Sequence, residues 1–563
     1  MTYPFRASDI LEPLQGKILC GTENGSFTTF VIDSRLAKRN TLFVPLIGQH
    51  RDGHSFVTDA LVKGSQVALL RQNHKLIPQI ISAVQEPEKY NLPNSIRNST
   101  LIEVRHTLVA LQKLATWFRK KFSNVKLFAI TGSVGKTQTK EMALSILKES
   151  LCVVGTDKNF NNEIGVPLAV GKLAPGVEAA VIEMAMRGRG EISLLSRIAE
   201  PDFALITNTH ASHIGRLGSW VEIAKAKAEI VDGLKAGGVL WLNRHDQGLP
   251  TILKEVSDKP IFKDGIKLKF FDVSKAKDAV PPLPRIFTDL QMVDDESLTA
   301  FKTSPDLWVE EVEILGLNGC KFVVATPYER QHVRLKVLGR GAVENFTCAC
   351  AVSLELGLSL KECAKRAESL APVPQRLVPL ELKPGVILID DTYNSAPASC
   401  EEAVELLSLI PPDFKKILVI GDMLELGRYE KILHRQVAQQ VYTLSPEVLI
   451  AIGPRAKAFK EVPIPRGVEV IYYEGTASAE EIADGSAVTE QGGGYSTLDN
   501  STHGMLIADD ETIEKAKKDI LKLIEGAREK MVVLVKGSRA LHLERLVSGL
   551  VNHFEARRNS SDD

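Results

Sequence analysis

Cysteine is scarce in this chain and is not arranged for disulfides or for zinc. The 563 residues include 7 Cys, none of them in a C-x-x-C pair. The two nearest, Cys348 and Cys350, would face different sides of a helix. An odd, dispersed set of this kind is typical of reduced core thiols in a cytoplasmic protein. His210 and His213 lie close together, but no Cys or third His follows at zinc spacing, which argues against a zinc site.

An excess of one charge and long apolar runs are also lacking. Lys and Arg total 69 against 70 Asp and Glu, so the composition contains no general nucleic-acid footprint. The first residues, Met1 to Arg6, contain no apolar signal core, and no apolar run reaches membrane-spanning length. We therefore expect a cytoplasmic protein that neither binds nucleic acid nor inserts into a membrane.

The length and the pattern of apolar runs predict an α/β protein with three domains. A chain of 563 residues is too long for one domain, and short β-like runs alternate with helical segments along it. We place a small N-terminal α/β domain at 1–104, a central doubly wound sheet of the P-loop ATPase type at 105–371 and a C-terminal Rossmann-like domain at 372–563. Residues 257–335 are predicted to form an antiparallel appendage. Residues 474–510, rich in Gly, Ser, Thr and acidic residues, are predicted to be a mobile surface insertion.

The most informative motif is a compact glycine loop, Thr131-Gly132-Ser133-Val134-Gly135-Lys136-Thr137. A β-branched apolar run precedes it and a segment rich in helix formers follows, which is the context of a phosphate loop. Glycines let the backbone pass close to a phosphate, and N–H groups at the start of the helix bind it. Lys136 would reach the terminal phosphates and Thr137 would hold Mg²⁺. The first Gly of the standard motif is replaced by Ile130, so an ordinary glycine turn is the alternative.

Other polar residues of the central unit are candidate ligands because they follow predicted strands. In parallel sheets ligands gather at the carboxyl ends of the strands. Glu183 ends one such strand, where it could bind Mg²⁺ or serve as a helix cap or salt-bridge acid. His213 follows another; a lone His is more often structural, although a Mg²⁺ site with phosphate tolerates one imidazole. Lys225 and Lys227 point to different faces of a predicted helix, so only one can face a site, and a solvated charged helix is the alternative.

Three strand ends in the third unit also carry polar groups. They begin at Asp390, Gly421 and Val535 and read Asp-Asp-Thr-Tyr-Asn, Gly-Asp-Met-Leu-Glu-Leu-Gly and Val-Lys-Gly-Ser-Arg. Consecutive polar strand ends predict a face that lines a site. The alternative is that Asp422 and Ser538 simply cap helices.

Together these strings resemble the Mur ligases, the ATP-dependent amide-bond formers of peptidoglycan precursor synthesis. The resemblance spans nearly the whole chain and is carried by Thr131–Thr137 with Lys140-Glu141, and by 159–167, 213–219, 390–394 and 421–427. It is nearest to the members that add D-alanyl-D-alanine. It implies an ATP-dependent ligase that joins D-Ala-D-Ala to UDP-MurNAc-tripeptide through an acyl phosphate, in the last cytoplasmic step of UDP-MurNAc-pentapeptide synthesis.

The resemblance also implies a role for individual residues, by position. The catalytic residues would be Lys136, Glu183, His213 and Lys227, and the ligands of two Mg²⁺ ions would be Thr137, Glu183, His213 and Lys227, the last carbamylated by CO₂. ATP would be bound by Gly132, Ser133, Val134, Gly135, Lys136, Thr137, Asn243, Asn345, Arg376 and Asp391. The other substrates would be bound by Ser34, Arg35, Asp52 and His54 at the UDP-sugar end, by Asn161 and Asn162, and by Asn394, Lys536, Ser538 and Arg539 near the dipeptide. The implied enzyme is a monomer.

The chain departs from the family pattern at one nucleotide motif. Where the family usually has Gly-x-His-Asn-x-x-Asn, Gly341 and Ala342 replace the His-Asn pair, between Gly339 and Asn345. One nucleotide contact is therefore missing or supplied from elsewhere.

Other functions remain open at this point. A sibling ligase that adds a single amino acid is disfavoured, because the Asp-Asn/Asp-Pro-Arg string for diaminopimelate is absent. Folylpolyglutamate synthetase is disfavoured by the UDP-sugar-like first unit. An ATPase that hydrolyses without ligating would release phosphate without the acceptor substrates. The third residue of the tripeptide, lysine or diaminopimelate, stays undetermined.

Overall fold

The computed structural model of the protein describes residues 3–48, 51–157, 160–210, 214–263, 265–273, 305–475 and 509–561. It confirms the α/β class: successive parts of the chain form large sheets of five, nine and six strands. The boundaries drawn at 104 and 371 stay predictions, although both fall between sheets.

The N-terminal unit contains a short antiparallel pair and a five-stranded sheet. Its elements are β1 (Phe5–Arg6), α1 (Ser8–Leu14), β2 (Lys17–Cys20), β3 (Ser26–Phe27), β4 (Thr29–Val31), β5 (Thr41–Phe43), α2 (Val57–Val62), β6 (Val67–Arg71), α3 (Ile77–Gln85), β7 (Thr100–Val104) and α4 (Thr107–Lys121). The order in the larger sheet is β2-β7-β6-β5-β4. Strands β4 to β7 run parallel, so the segments that carry Ser34 and Asp52 follow carboxyl ends at the same edge.

The central unit is one nine-stranded sheet with helices on both faces. Its first elements are β8 (Lys126–Thr131), α5 (Lys136–Leu147), β9 (Val153–Gly155), α6 (Gly165–Val170), β10 (Ala179–Glu183), α7 (Glu191–Ala199), β11 (Phe203–Ile206), α8 (Ile214–Leu217), α9 (Trp220–Ala228) and β12 (Val239–Asn243). The rest are α10 (Leu249–Ser257), α11 (Pro260–Lys263), β13 (Lys267–Asp272), β14 (Leu307–Ile314), β15 (Cys320–Ala325), β16 (Arg330–Leu335), α12 (Arg340–Glu355) and α13 (Leu360–Ala367).

The order of the strands places the glycine loop at a crevice. It is β16-β15-β14-β13-β12-β11-β8-β10-β9, so β8 lies between β10 and β11 and the chain order reverses there. Ligands of open α/β sheets bind at such a reversal, beyond the carboxyl ends of the strands.

Burial on both faces explains why β8 is continuously apolar. Leu127 and Ala129 pack into the cluster that contains helices α4, α6 and α7. Phe128 and Ile130 pack into the cluster that contains α5 and α12. Successive side chains of a strand point to opposite faces, so a strand covered on both sides needs apolar residues at every position.

The prediction of an antiparallel appendage at 257–335 is wrong for the pairing of its first two strands, and its residues 264 and 274–304 lie outside the described residues. Strand β13 pairs parallel with β12, and β14 pairs parallel with β13. Only β15 and β16 run antiparallel. The reason is that β12 offers unpaired backbone groups along one edge, and β13 satisfies them by extending the same sheet.

The C-terminal unit is a six-stranded, mainly parallel sheet. Its elements are β17 (Val378–Lys383), β18 (Val386–Asp391), α14 (Pro397–Ser408), β19 (Phe414–Gly421), α15 (Glu430–Thr443), β20 (Val448–Ile452), α16 (Ala458–Glu461), β21 (Glu469–Tyr473), α17 (Asp510–Gly526), β22 (Lys530–Lys536) and α18 (Glu544–Ser561). The order is β17-β18-β22-β19-β20-β21, and only β17 runs antiparallel to its neighbour. Apart from its ends, the predicted insertion at 474–510 lies outside the described residues.

The cysteines and the length of the helices bear on two expectations drawn from the sequence, reduced thiols and the lack of a membrane-spanning helix. All seven cysteines are free thiols; five are buried, whereas Cys152 is exposed and Cys20 is half-buried. Among the described residues, every helix is too short or too polar to span a bilayer.

Candidate active site

The glycine loop adopts a tight turn between β8 and α5. Gly135 has φ +88°, in the left-handed region that glycine tolerates best, and a Cβ there would lie 2.3 Å from Asn345 Oδ1. At Gly132, φ is +148° and a Cβ would lie 1.9 Å from Thr207 Oγ1. The loop is therefore closely fitted to neighbouring elements, and the start of α5 is open to an anion.

Asn208, just beyond β11, holds the loop in place. Its Oδ1 accepts a hydrogen bond from Val134 N at 2.9 Å, and its carbonyl accepts one from Ser133 N at 2.9 Å. The Thr207 hydroxyl also donates to the Val134 carbonyl, at 2.7 Å. Residues just beyond the carboxyl end of β11 thus hold the loop that follows the neighbouring strand, β8.

Lys136 folds back over the loop. Its Nζ donates to the carbonyls of Gly132 at 2.7 Å and Ser133 at 3.1 Å. The pKa of Lys136 is lowered to about 8: desolvation is the main cause, Glu183 opposes it, and Arg376 adds to the lowering. A polyphosphate beside this ammonium would stabilise its positive charge, which Glu183 alone offsets only in part.

Glu183 and Thr137 form an oxygen-rich corner next to the loop. Glu183 Oε1 accepts hydrogen bonds from Thr137 Oγ1 at 3.1 Å and Asn161 Nδ2 at 2.7 Å. Its Oε2 is buried without a hydrogen-bond partner and lies 3.9 Å from Lys140 Nζ. A buried carboxylate oxygen that accepts no hydrogen bond, beside a hydroxyl, is a donor set that fits Mg²⁺.

The two lysines of α9 do face different directions. Lys225 is partly exposed and pairs with Glu222 at 3.1 Å. Lys227 is 1% exposed, and within the described part of the chain its ammonium has no hydrogen bond or ion pair. Burial, together with the nearby charge of Lys136, holds the pKa of Lys227 well below its ordinary value. His213, the other candidate ligand near this helix, lies outside the described residues.

Helix α12 borders the loop from the far side of the crevice. The Asn345 amide donates to Gln138 Oε1 at 3.1 Å and its Oδ1 accepts from Thr139 Oγ1 at 3.3 Å. Glu344, one residue earlier, accepts from Asn208 Nδ2 at 3.1 Å, and burial raises the pKa of Glu344. The helix is thereby connected to the glycine loop through Asn345 and through Asn208.

The C-terminal unit supplies the opposite wall. Lys536 Nζ lies 2.6 Å from Asp391 Oδ2 and also donates to the Asn394 carbonyl at 3.2 Å. The Arg376 guanidinium stacks over the Tyr393 ring, 4.1 Å from its centroid, and the Arg539 guanidinium lies 6.0 Å from the same centroid. A buried ion pair and two cations around one aromatic ring therefore face the glycine loop.

Of the two alternatives for the third unit, helix capping applies to Asp422 but not to Ser538. Asp422 Oδ1 accepts from Ala456 N at 2.7 Å in the helical turn after β20. The Ser538 hydroxyl instead accepts from Leu424 N at 3.0 Å and joins two strand-end loops.

The glycine loop, Glu183, the start of α12 and the wall of the C-terminal unit line one cleft of about 850 Å³. It brings together fourteen predicted site residues, namely Ser133, Val134, Gly135, Lys136, Thr137, Asn161, Glu183, Asn345, Arg376, Asp391, Asn394, Lys536, Ser538 and Arg539. Eight other predicted site residues, all within the described part of the chain, do not line this cleft: Gly132, Asn162, Lys227, Asn243, Ser34, Arg35, Asp52 and His54.

Two of the residues off the cleft organise neighbouring backbone. Asn162 Oδ1 accepts from Gly165 N at 3.0 Å at the start of α6. Asn243 Oδ1 accepts from His245 N at 3.0 Å after β12.

At the N-terminal unit, Asp52 anchors two stacked imidazoles. His54 Nδ1 and His74 Nε2 each lie 2.8 Å from a different oxygen of Asp52. The far ring nitrogens accept backbone N–H groups, from Arg71 at 3.0 Å and Leu76 at 3.3 Å. The near nitrogens must then carry the protons, which leaves them no lone pair for a metal. The cluster fits a rigid loop anchor rather than a cation site.

Sequence reasoning missed several residues of the cleft. His210, Glu344, Tyr393 and Glu402 line it. Glu344 and Glu402 lie on helices that no strand-end argument identifies.

Comparison with known proteins identifies the family. The model of the Mur ligase middle domain matches residues 130–279, and that of the Mur ligase glutamate ligase domain matches 375–539. The UDP-N-acetylmuramoyl-tripeptide–D-alanyl-D-alanine ligase of Bacillus subtilis is 29% identical over 523 residues, 92% of each chain. The ligase of the same name from Synechocystis is 30% identical over 75% of this chain and 78% of its own. The crystal structure of MurF from Acinetobacter baumannii superposes with a TM-score of 0.73 at 25% identity, over 98% of this chain and 99% of that one. On the strength of both sequence and fold, this chain belongs to the Mur ligase family.

Proposed function

We propose that the protein uses ATP to join D-alanyl-D-alanine to UDP-MurNAc-tripeptide and so completes UDP-MurNAc-pentapeptide. The observation that carries the proposal is the single cleft in which the phosphate loop and the buried Glu183 carboxylate face the polar wall of the C-terminal unit. Relatives that carry this activity in their names match more than nine-tenths of the chain, which supports the same assignment.

The reaction has two steps. The γ-phosphoryl of ATP passes to the terminal carboxylate of the tripeptide, so the bond between the β–γ bridging oxygen and the γ-phosphorus breaks, ADP leaves and an acyl phosphate forms. The neutral amine of D-Ala-D-Ala then attacks the acyl carbon, the C–N bond forms, and the tetrahedral intermediate releases phosphate and a proton. Phosphoryl transfer needs mainly positioning and charge stabilisation, which this cleft can supply.

The phosphate loop would position the triphosphate. The N–H groups at the start of α5 point toward the cleft, and Lys136 would leave the Gly132 and Ser133 carbonyls for the terminal phosphates. Asn345, Arg376 and Asp391 would line the nucleotide between the central and C-terminal units.

Glu183 and the Thr137 hydroxyl would hold Mg²⁺, with His213 and a carbamylated Lys227 completing a second site. Bound Mg²⁺ supplies charge neutralisation at the transferred phosphoryl group. Lys227 suits carbamylation because its buried amine has no partner among the described residues. Its neutral amine nitrogen would form a bond to CO₂ with loss of one proton, which turns an uncharged group into a carboxylate ligand.

The C-terminal wall would receive the dipeptide and exclude water from the acyl phosphate. Arg539 is exposed at the cleft, where it could pair with the carboxylate of D-Ala-D-Ala. Asn394, Lys536 and Ser538 would shape the same end. At the other end of the chain, the segment that carries Ser34 and Arg35 would hold the UDP-sugar, beside the loop that Asp52 and His54 keep rigid. One chain supplies every wall, so we propose a monomer that acts in the cytoplasm.

The test is phosphate release from ATP and Mg²⁺ with UDP-MurNAc-tripeptide and D-Ala-D-Ala added singly and together. We expect release only with both, and a product heavier by the dipeptide. Release with neither substrate would indicate an ATPase that does not ligate. Release with a single amino acid in place of the dipeptide would indicate a sibling ligase.

A further inference from the structure

The N-terminus of α12 receives its cap from another unit of the protein. Gly339, the residue before the helix, has no side chain that could cap it. Instead, Glu402 of helix α14 reaches across the cleft, and its Oε1 accepts a hydrogen bond from Gly341 N at 2.9 Å. A carboxylate at this place satisfies an N–H that lacks an intrahelical partner and lies at the positive end of the helix dipole.

The Glu402 carboxylate occupies the space that a side chain at position 341 would need. A Cβ on residue 341 would lie 2.4 Å from Glu402 Oε1, 2.9 Å from its Cδ and 3.0 Å from Oε2. The absence of a side chain at position 341 therefore leaves the space in which the Glu402 carboxylate lies.

A second contact runs beside the first. Arg340 Nε donates to Glu405 Oε1 at 2.7 Å, and Glu405 lies three residues after Glu402 on α14. Side chains three apart on a helix share a face, so both glutamates of α14 point at the first turn of α12.

The cap acts on the helix that touches the phosphate loop. Asn345 lies four residues, or about one turn, after Gly341. It bonds to Gln138 and Thr139 of α5, and its Oδ1 occupies the space beside Gly135. A shift of the first turn of α12 would therefore move the residue that borders the loop.

We propose that Glu402 is a positioning residue for ATP binding: by capping α12 from the C-terminal unit it sets Asn345 beside the phosphate loop. The inference rests on the proposed function only in that ATP binds in this cleft. It gives the C-terminal unit a direct influence on nucleotide affinity, separate from its contacts with the dipeptide.

Calorimetric titration of the full chain with ATP and Mg²⁺, without acceptor substrates, tests the proposal. Glu402→Ala should weaken ATP binding about tenfold, because a hydrogen bond to a charged group is lost. Glu402→Gln should stay within about threefold of the wild type, since its amide oxygen can still accept from Gly341 N. The matched control is Glu447→Gln, which changes an exposed glutamate of the same unit that pairs with Lys415; this variant should bind ATP normally.

Gly341→Ala tests the same contact from the other side. Its Cβ would displace the carboxylate, so ATP affinity should fall by a similar factor. In the double variant with Glu402→Ala the two losses should not add, because both remove one contact. Wild-type affinity in Glu402→Ala, or additive losses in the double variant, would overturn the proposal. If Glu402→Ala does not fold, Gly341→Ala decides alone, and wild-type affinity in it overturns the proposal.

Ligation kinetics provide a readout that general destabilisation would not give. Glu402→Ala should raise KM for ATP and leave KM for D-Ala-D-Ala unchanged, whereas an equal rise in both would contradict a role at the nucleotide. Wild-type protein that binds ATP without ligating would remove the proposed function and leave this inference standing.

Discussion

Lys536 Nζ lies 2.6 Å from Asp391 Oδ2, and the two residues are also register partners on the neighbouring strands β22 and β18. Lys536 is fully buried and Asp391 is 7% exposed. A pair this deep has lost most of its hydration, so each charge depends on the other. The pair joins the first and last parallel strands of the C-terminal unit directly beneath the cleft.

Breaking this pair should destabilise the protein strongly. Lys536→Met leaves the Asp391 carboxylate buried and unpaired, and burial already raises the pKa of Asp391. We expect a loss of about 3–5 kcal/mol of unfolding free energy, measured by denaturant unfolding. Adding Asp391→Asn should recover part of the loss, because no charge then remains unpaired. Lys530→Met, on the same strand but exposed, is the control and should change little; an equal loss there would refute the explanation.

Lys136 should be needed for turnover but not for folding. Lys136→Ala removes the cation proposed to stabilise the transferred phosphoryl group, so ligation should fall at least about 100-fold with little change in melting temperature. Lys148→Ala, an exposed lysine just after the same helix, is the control and should ligate normally. Ligation near the wild-type rate by Lys136→Ala would exclude the proposed role.

The pKa of Lys136 also predicts the pH dependence of nucleotide binding. Its pKa is lowered from 10.5 to about 8, so its positive charge is lost as the pH rises through 8 in the free protein. ATP favours the charged form. Affinity for ATP, measured by titration between pH 7 and pH 10, should therefore fall above about pH 8. Lys136→Met should show a flatter profile over this range, and an unchanged slope would point to another group.

The two lysines of α9 allow a matched test of carbamylation. Lys227→Ala should be nearly inactive and partly rescued by a short carboxylic acid that fills the gap. Lys225→Ala should keep near-wild-type ligation, because Lys225 is partly exposed and pairs with Glu222. The measurement is the ligation rate of each variant with and without the added carboxylic acid. Full activity of Lys227→Ala without acid would rule out the carbamate.

Substituting Gly135 and Gly190 by alanine distinguishes the effect of backbone strain from that of a steric conflict. Both have positive φ, +88° and +84°, but a Cβ at Gly190 meets nothing within 4 Å. Gly190→Ala should cost about 1–2 kcal/mol from strain alone and leave ATP binding intact. Gly135→Ala should also lose ATP affinity, because its Cβ would collide with Asn345 Oδ1. Equal ATP affinity in the two variants would mean that the fit between loop and α12 is unimportant.

Much of the fold followed from local pattern. Val239–Asn243 and Val448–Ile452 can be read from the sequence as buried parallel strands, because they are apolar at almost every position. The sequence did not reveal that β13 runs parallel to β12, since the pattern of apolar residues is the same in parallel and antiparallel strands.

The sequence by itself determined the elements, the phosphate loop and the family, because glycine spacing, strand-end polarity and apolar runs are local properties of the chain. Tertiary structure alone decided which candidates share a cleft. It buried Lys227 and left Lys225 partly exposed, left Glu183 Oε2 without a hydrogen bond among the described residues, and set Glu402 against Gly341, sixty-one residues away. Contacts between distant segments depend on how sheets and helices pack, which no local pattern records.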